Sequence, residues 1–280
     1  MPDLGQQQML DTVSPMKILT LRFVMLASCL ALPLVAQNPP GASRSQWVLL
    51  AVDAPHVQHR TLRVPDETAQ VHIVLVGDST VTDAAGWGKA FADLLLPDVR
   101  CTNTARGGQS TKSCLDGGYW AKALALHPTH VLIQFGHNDM PGKGPQRETD
   151  PNSTYRTNLI RFVDEARAVG AQPILVTSIT RRNFKDGKIA DTLAPYADAM
   201  KAVAAEKRVP LADLHTRTIE AVERLGPEAS EELGPVGKDG KRDHTHLSQP
   251  GKELTARLLV AELRKITPDL ARCFRSPTKP

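Results

Sequence analysis

The sequence predicts an α/β fold in which a parallel sheet lies between two layers of helices. Three observations predict it: short apolar runs recur along the chain, amphipathic stretches of helical period lie between them, and no repeat or long linker interrupts the alternation. Strands buried on both faces read as unbroken apolar runs, because helices cover both sides of a parallel sheet. Residues 71–76 and 131–135 are such runs, 174–176 and 209–211 are shorter ones, and 99–102 is a weaker strand that completes the β-α-β-α series.

The helical stretches follow from spacing. Leu159, Phe162, Val163, Ala166 and Val169 fall on one face before Gly170 supplies a stop. Tyr196, Met200, Val203 and Ala204 repeat the pattern. Leu254, Leu258 and Ala261 make a third apolar face after Ser248-Gln249-Pro250, which reads as a cap with proline in the first turn.

Composition sets the class and narrows the partners. The chain of 280 residues is 41% apolar, enough for one large domain with a buried core. Its net charge of +4 is small beside 34 basic and 30 acidic residues, and no long basic run tracks a phosphate backbone, so nucleic acid is not an expected partner. Lys17 and Arg22, the apolar stretch 23–35 and Ala36 before a polar Pro-containing segment have the form of a signal peptide. The stretch is too short for a stable membrane span, which needs ~20 apolar residues. Residues 1–36 are therefore expected to be a signal peptide, 37–70 a segment of unassigned role and 71–280 the functional domain of a secreted or periplasmic, monomeric protein. Leu26-Ala27-Ser28-Cys29 also has the form of a lipoprotein box, although the chain stays apolar after Cys29 where a lipidated tether turns polar. Cys101, Cys114 and Cys273 then remain, an odd number that allows one pair, with Cys101 and Cys114 nearest in sequence, or three buried thiols.

Parallel sheets place their sites where strands end at the carboxyl edge. The first strand is followed by Gly77-Asp78-Ser79-Thr80, the second by Asn103-Thr104-Ala105-Arg106-Gly107-Gly108-Gln109-Ser110, and the third by Gly136-His137-Asn138-Asp139. Asp243-His244-Thr245-His246 stands before the last helix. A nucleophilic serine needs a base, and that base needs a third group to fix its tautomer. Ser79, His246 and Asp243 can supply these roles, with His244 the rival base. The tetrahedral oxyanion needs donors already aimed at it, which the backbone N–H groups of Ser79 and Gly108 and the side-chain amide of Asn138 could provide. Each element alone has an ordinary reading as turn chemistry; their joint placement gives the inference its force.

The four blocks G-D-S-T, the glycine loop, G-H-N-D and D-H-T-H resemble those of the SGNH or GDSL hydrolases, and of the rhamnogalacturonan acetylesterase branch in particular, over about residues 71–266. The likeness extends to Thr180-Arg181-Arg182-Asn183-Phe184, to Tyr196-Ala197-Asp198-Ala199-Met200 and to Val209-Pro210-Leu211-Ala212-Asp213-Leu214. It implies a flavodoxin-like three-layer α/β/α fold and removal of acetyl groups from pectic polysaccharide through a covalent acetyl-enzyme, with no cofactor. It implies Ser79, Asp243 and His246 as the triad, since the family pattern D-x-x-H selects His246 over His244, and Gly108 and Asn138 as completing the oxyanion hole. The rivals are an acetylxylan or other short-chain esterase on the same triad, and a carbohydrate-binding protein without catalysis.

The remaining polar residues receive plainer expectations. His137 supports its loop or touches substrate, and Arg181 and Arg182 are either a solvated loop or forked cations for galacturonate carboxylates. His127 with His130, and His56 with His59, lack a third ligand, so no metal site is expected. Neither a P-loop nor a G-x-S-x-G elbow is present.

Overall fold

The computed structural model describes residues 70–276. The expected signal peptide, Cys29, His56, His59 and all but the last residue of segment 37–70 lie outside the described residues. The chain runs β1 (His72–Gly77), α1 (Gly88–Ala92), β2 (Arg100–Asn103), α2 (Thr111–Asp116), α3 (Tyr119–Leu124), β3 (His130–Gln134), α4 (Thr154–Ala168) and β4 (Gln172–Val176). A short hairpin of β5 (Phe184–Lys185) and β6 (Lys188–Ile189) precedes α5 (Ala194–Lys207), β7 (Leu211–Ala212) and α6 (Leu214–Ser230), which is broken at Gly226-Pro227. The helices α7 (Gln249–Ile266) and α8 (Pro268–Ala271) complete the described chain.

Five parallel strands form one sheet in the order β2-β1-β3-β4-β7. Ile73 of β1 stands opposite Cys101 on one side and His130 on the other, and Leu132 stands opposite Ile174. Because the chain leaves β1 for one side of the sheet and returns on the other, the strand order reverses between β1 and β3. A crevice opens at such a point, beyond the carboxyl ends of those two strands.

Alternation along β1 divides the core in two. Ile73 and Leu75 pack with Trp87, Phe91, Leu259 and Leu263 on the face covered by α1 and α7, and Leu214 of α6 belongs to the same cluster. Val74 and Val76 pack with Trp120, Tyr155, Phe162 and Met200 on the face covered by α3, α4 and α5. All six residues of β1 and all five of β3 are buried, as expected for central strands of a three-layer fold.

Some details differ from the sequence reading. Val169 is the C-cap of α4, where the backbone leaves helical geometry, and it is 50% exposed instead of sharing the buried face. The expected strand at 209–211 is β7, displaced to Leu211–Ala212, with Val209 buried ahead of it. The deeply buried face of α7 is Ala256, Leu259 and Leu263, while Ala261 faces solvent. Cys101 and Cys114 are free thiols on opposite faces of the sheet, so they do not pair.

Candidate active site

The turn after β1 is built from below. Asp78 is fully buried, and its Oδ1 accepts the Thr80 N–H (2.8 Å) and the Thr80 hydroxyl (2.7 Å), which closes the turn and leaves Ser79 at its crest. Thr80 Oγ1 in turn accepts from Gln134 Nε2 (2.7 Å), and Gln134 Oε1 accepts from the indole of Trp87 (3.0 Å). Three elements thereby fix one turn. Asp78 Oδ2 faces Nδ1 of the buried His137 at 3.5 Å. Burial would raise the Asp78 pKa, but the neighbouring His137 and the two Thr80 donors outweigh it and hold the carboxyl below its usual range.

The loops after β2 and β3 are tied to each other. Asn138 Nδ2 donates to the Gln109 carbonyl (3.0 Å), and Asp139 Oδ1 accepts from the Thr111 hydroxyl (2.5 Å) and the Thr149 hydroxyl (2.9 Å). Ser110 caps α2 with a reciprocal bond to Ser113. Two glycines permit the close approach. Gly108 sits at φ 76°, and Gly136, at φ 145°, would place a Cβ 2.3 Å from Ser178 Oγ. Among the described residues the backbone N–H groups of Ser79 and Gly108 have no backbone acceptor, so both remain available beside the serine.

The fourth loop brings the base. His246 Nε2 lies 2.9 Å from Ser79 Oγ, and His246 Nδ1 lies 2.7 Å from Asp243 Oδ2. A carboxylate can only accept, so Nδ1 carries the proton and Nε2 is left to accept from the serine. Asp243 Oδ1 takes the backbone N–H groups of Thr245 (2.7 Å) and His246 (2.9 Å), closing the loop on itself. Burial works to raise the Asp243 pKa, yet the His246 side chain and the two backbone donors prevail and bring it to about 2. His244 is turned away toward Asn183 (2.8 Å) and Glu231 (3.1 Å), so it does not serve Ser79.

Arg182 and His137 are corrected as substrate contacts. Arg182 is buried, and its Nη2 donates to the backbone carbonyls of Asp243 and His246, the latter at 2.7 Å; it braces the base loop from behind. Sequence reasoning missed this role because the partners lie 61 and 64 residues away. His137 is 2% exposed and turned toward Asp78, which leaves its ring inside the structure. Arg181 remains at the crevice, half-buried, with Nη2 on the His137 carbonyl at 3.3 Å. Among the described residues no group of His, Cys, Asp and Glu could hold a metal ion, and no helix is long and apolar enough to cross a membrane.

This arrangement has the parts for acyl transfer: a hydroxyl nucleophile, a base with fixed tautomer, and preset donors beside it. A family model described as GDSL-like lipase/acylhydrolase matches residues 75–254. Rhamnogalacturonan acetylesterase RhgT of Bacillus subtilis (strain 168) is 40% identical over 215 residues, covering 70% of this chain and 90% of that protein. Among solved structures, protein YXIM of Bacillus subtilis superposes with a TM-score of 0.61 at 24% identity, over 70% of this chain and 57% of that chain. A catalytic mutant of Axe2, an acetylxylan esterase of Geobacillus stearothermophilus, does so with a TM-score of 0.55 at 19% identity, over 69% of this chain and 94% of that one. At these identities the two structural likenesses speak to the fold.

Proposed function

The chain belongs to the GDSL-like lipase/acylhydrolase family, and from that premise we propose that it is a serine esterase that removes acetyl groups from pectic polysaccharide of the rhamnogalacturonan type. The observation that carries the reading is the continuous line from Ser79 Oγ through His246 to Asp243, at 2.9 and 2.7 Å, above the switch point of the sheet. The choice of polymer is supported by the likeness to RhgT, 40% identical over 215 residues, while the family match at residues 75–254 includes both ends of this line.

In the proposed reaction His246 Nε2 takes the proton of Ser79 as Oγ attacks the acetyl carbonyl. The bond between carbonyl carbon and sugar oxygen then breaks, and the sugar hydroxyl leaves with the proton returned by Nε2. Water enters, gives a proton to the same nitrogen and attacks the acetyl-enzyme, releasing acetate and restoring Ser79. In both halves the oxyanion is received by the N–H of Ser79, the N–H of Gly108 and the amide of Asn138. Asp243 holds the imidazolium in place and stays ionised, as its low pKa permits. Export through the leader at 1–36 would bring the enzyme to polymers too large to enter a cell.

The test is acetate release from acetylated rhamnogalacturonan, with acetylated xylan as control and Ser79→Ala beside the wild type. We expect release from the pectic polymer in excess of xylan, and its loss in the folded variant. A Ser79→Ala protein with wild-type turnover would remove this serine from the chemistry. Equal or greater release from xylan would overturn the substrate.

A further inference from the structure

The loops that carry Gly108 and Asn138 bring an excess of positive charge to one wall of the crevice. Arg106 and Lys112 stand beside the first, Lys143 and Arg147 beside the second. None of the four forms an ion pair among the described residues, whereas Arg156, Arg161, Lys201 and Lys207 on α4 and α5 all face carboxylates. The acidic neighbours are engaged elsewhere. Glu148 accepts the Gly144 N–H at 2.6 Å, and Asp139 is buried beneath Thr111 and Thr149.

Arg147 is the best placed. Its Nη1 lies 3.6 Å from where a Cβ on Gly108 would stand, and a Cβ on Gly107 would stand 3.9 Å from Ser79 Cβ. The guanidinium therefore borders the oxyanion glycine, on the loop that touches the nucleophile. It is also held in place: Nε donates to the Lys143 carbonyl (2.7 Å), and Lys112 Nζ ties α2 to the same loop through the Pro145 carbonyl (2.7 Å). With Nε occupied, the terminal fork has no acceptor among the described residues, and a planar fork matches the two oxygens of a carboxylate. Arg106, two residues before Gly108, is stacked over Tyr119 with its Cζ 4.5 Å from the ring centroid.

We propose that Arg147, assisted by Arg106, binds the carboxylate of a uronate unit near the acetylated sugar and so selects acidic over neutral acetylated polysaccharide. The inference rests on the acetylesterase reading of the Ser79 site and adds to it the residues that distinguish the polymer. Uniform binding of this kind is read in KM, because the carboxylate takes no part in the bond changes.

The experiment compares wild type, R147Q, R147K and R106Q on acetylated rhamnogalacturonan fragments and on the same acetylated fragments with their uronate carboxyls reduced to alcohols. Wild type is expected to favour the acidic chain, and to lose that preference as salt is raised. R147Q should raise KM on the acidic chain about tenfold, with kcat falling much less, R147K should recover part of the loss, and R106Q should have a smaller effect of the same kind. If R147Q lowers kcat equally on both chains, Arg147 is only a loop tether and the inference is wrong. An acidic-to-neutral preference that survives both R147Q and R106Q also overturns it, while leaving the acetylesterase reading intact. If wild type hydrolyses a small acetate ester but deacetylates neither chain, the polysaccharide reading itself fails and this inference falls with it.

Discussion

Arg182 lies behind His246 and donates to its backbone carbonyl at 2.7 Å, so the position of the catalytic imidazole is set from the opposite side of the loop that carries it. The same Nη2 reaches the carbonyl of Asp243, and the Arg182 N–H donates to the His244 carbonyl at 2.9 Å. Burial pulls the guanidinium pKa down to about 10, which still leaves it cationic at neutral pH. Arg182→Ala would strand two carbonyls and open a space under the loop. We expect it to lower stability by about 3 kcal/mol, since charged hydrogen bonds are worth more than neutral ones, and to slow turnover roughly 10 to 100-fold through misplacement of the base. Thermal unfolding and kcat on an acetate ester check both effects. Unchanged values would mean that the loop holds its shape without this brace.

The Asp243 carboxyl predicts an acid limit to stability. Its folded pKa of about 2 lies below the value of an unperturbed aspartate. The stability it contributes is therefore present above the unfolded pKa and is lost as pH falls through about 2. Asp243→Asn should remove that acid-limb loss and, at neutral pH, reduce turnover by about a thousand- to ten-thousand-fold, because an amide that donates to Nδ1 selects the wrong tautomer. Denaturant titrations at a series of acidic pH values, with kcat at neutral pH, measure the two effects separately.

The sequence disclosed the parts of this site that depend on local chemistry. Ser79, Gly108 and Asn138 each follow a strand, and Asp243 and His246 close a turn through bonds three residues apart, so chain order alone places them near one edge of the sheet. The support for these groups was not legible. Arg182 reads as a surface cation until the fold brings residues 243–246 against it, and His137 reads as a loop histidine until Asp78 is buried beside it. The same limit explains α7. It is packed against α1, α6 and α8, so its buried arc is wider than one leucine stripe and takes in Thr255 and Glu262, which apolar spacing does not mark. Leu254 and Leu258 lie between α6 and α7, and Ala261 points away from both core clusters.

Asn138 is prepared for its part before substrate arrives. One amide hydrogen is committed to the Gln109 carbonyl at 3.0 Å, which fixes the side-chain plane and leaves the second hydrogen for an oxyanion. Asn138→Ala would remove one of the three donors proposed to receive the oxyanion. We expect kcat to fall on the order of 100 to 1000-fold, with KM little changed, because the interaction strengthens as the oxyanion forms. Steady-state kinetics on a chromogenic acetate provide the check, and a large rise in KM at constant kcat would assign Asn138 to ground-state binding instead.

Asp139, one residue further along, should produce a pH dependence of the opposite sign to that of Asp243. Burial pushes its carboxyl up to about 7 against the pull of the Thr111 and Thr149 donors, and Asp78 adds to the upward push. A folded pKa above the unfolded one means that the contribution to stability is full below the unfolded pKa and is lost as pH rises through about 7. Asp139→Asn keeps an acceptor for Thr111 and Thr149 while removing the titration. Its unfolding free energy should therefore fall less than that of wild type between pH values on either side of neutrality. Parallel slopes for the two proteins would mean that Asp139 is ionised in the folded state throughout, held by its hydroxyl donors in spite of its burial.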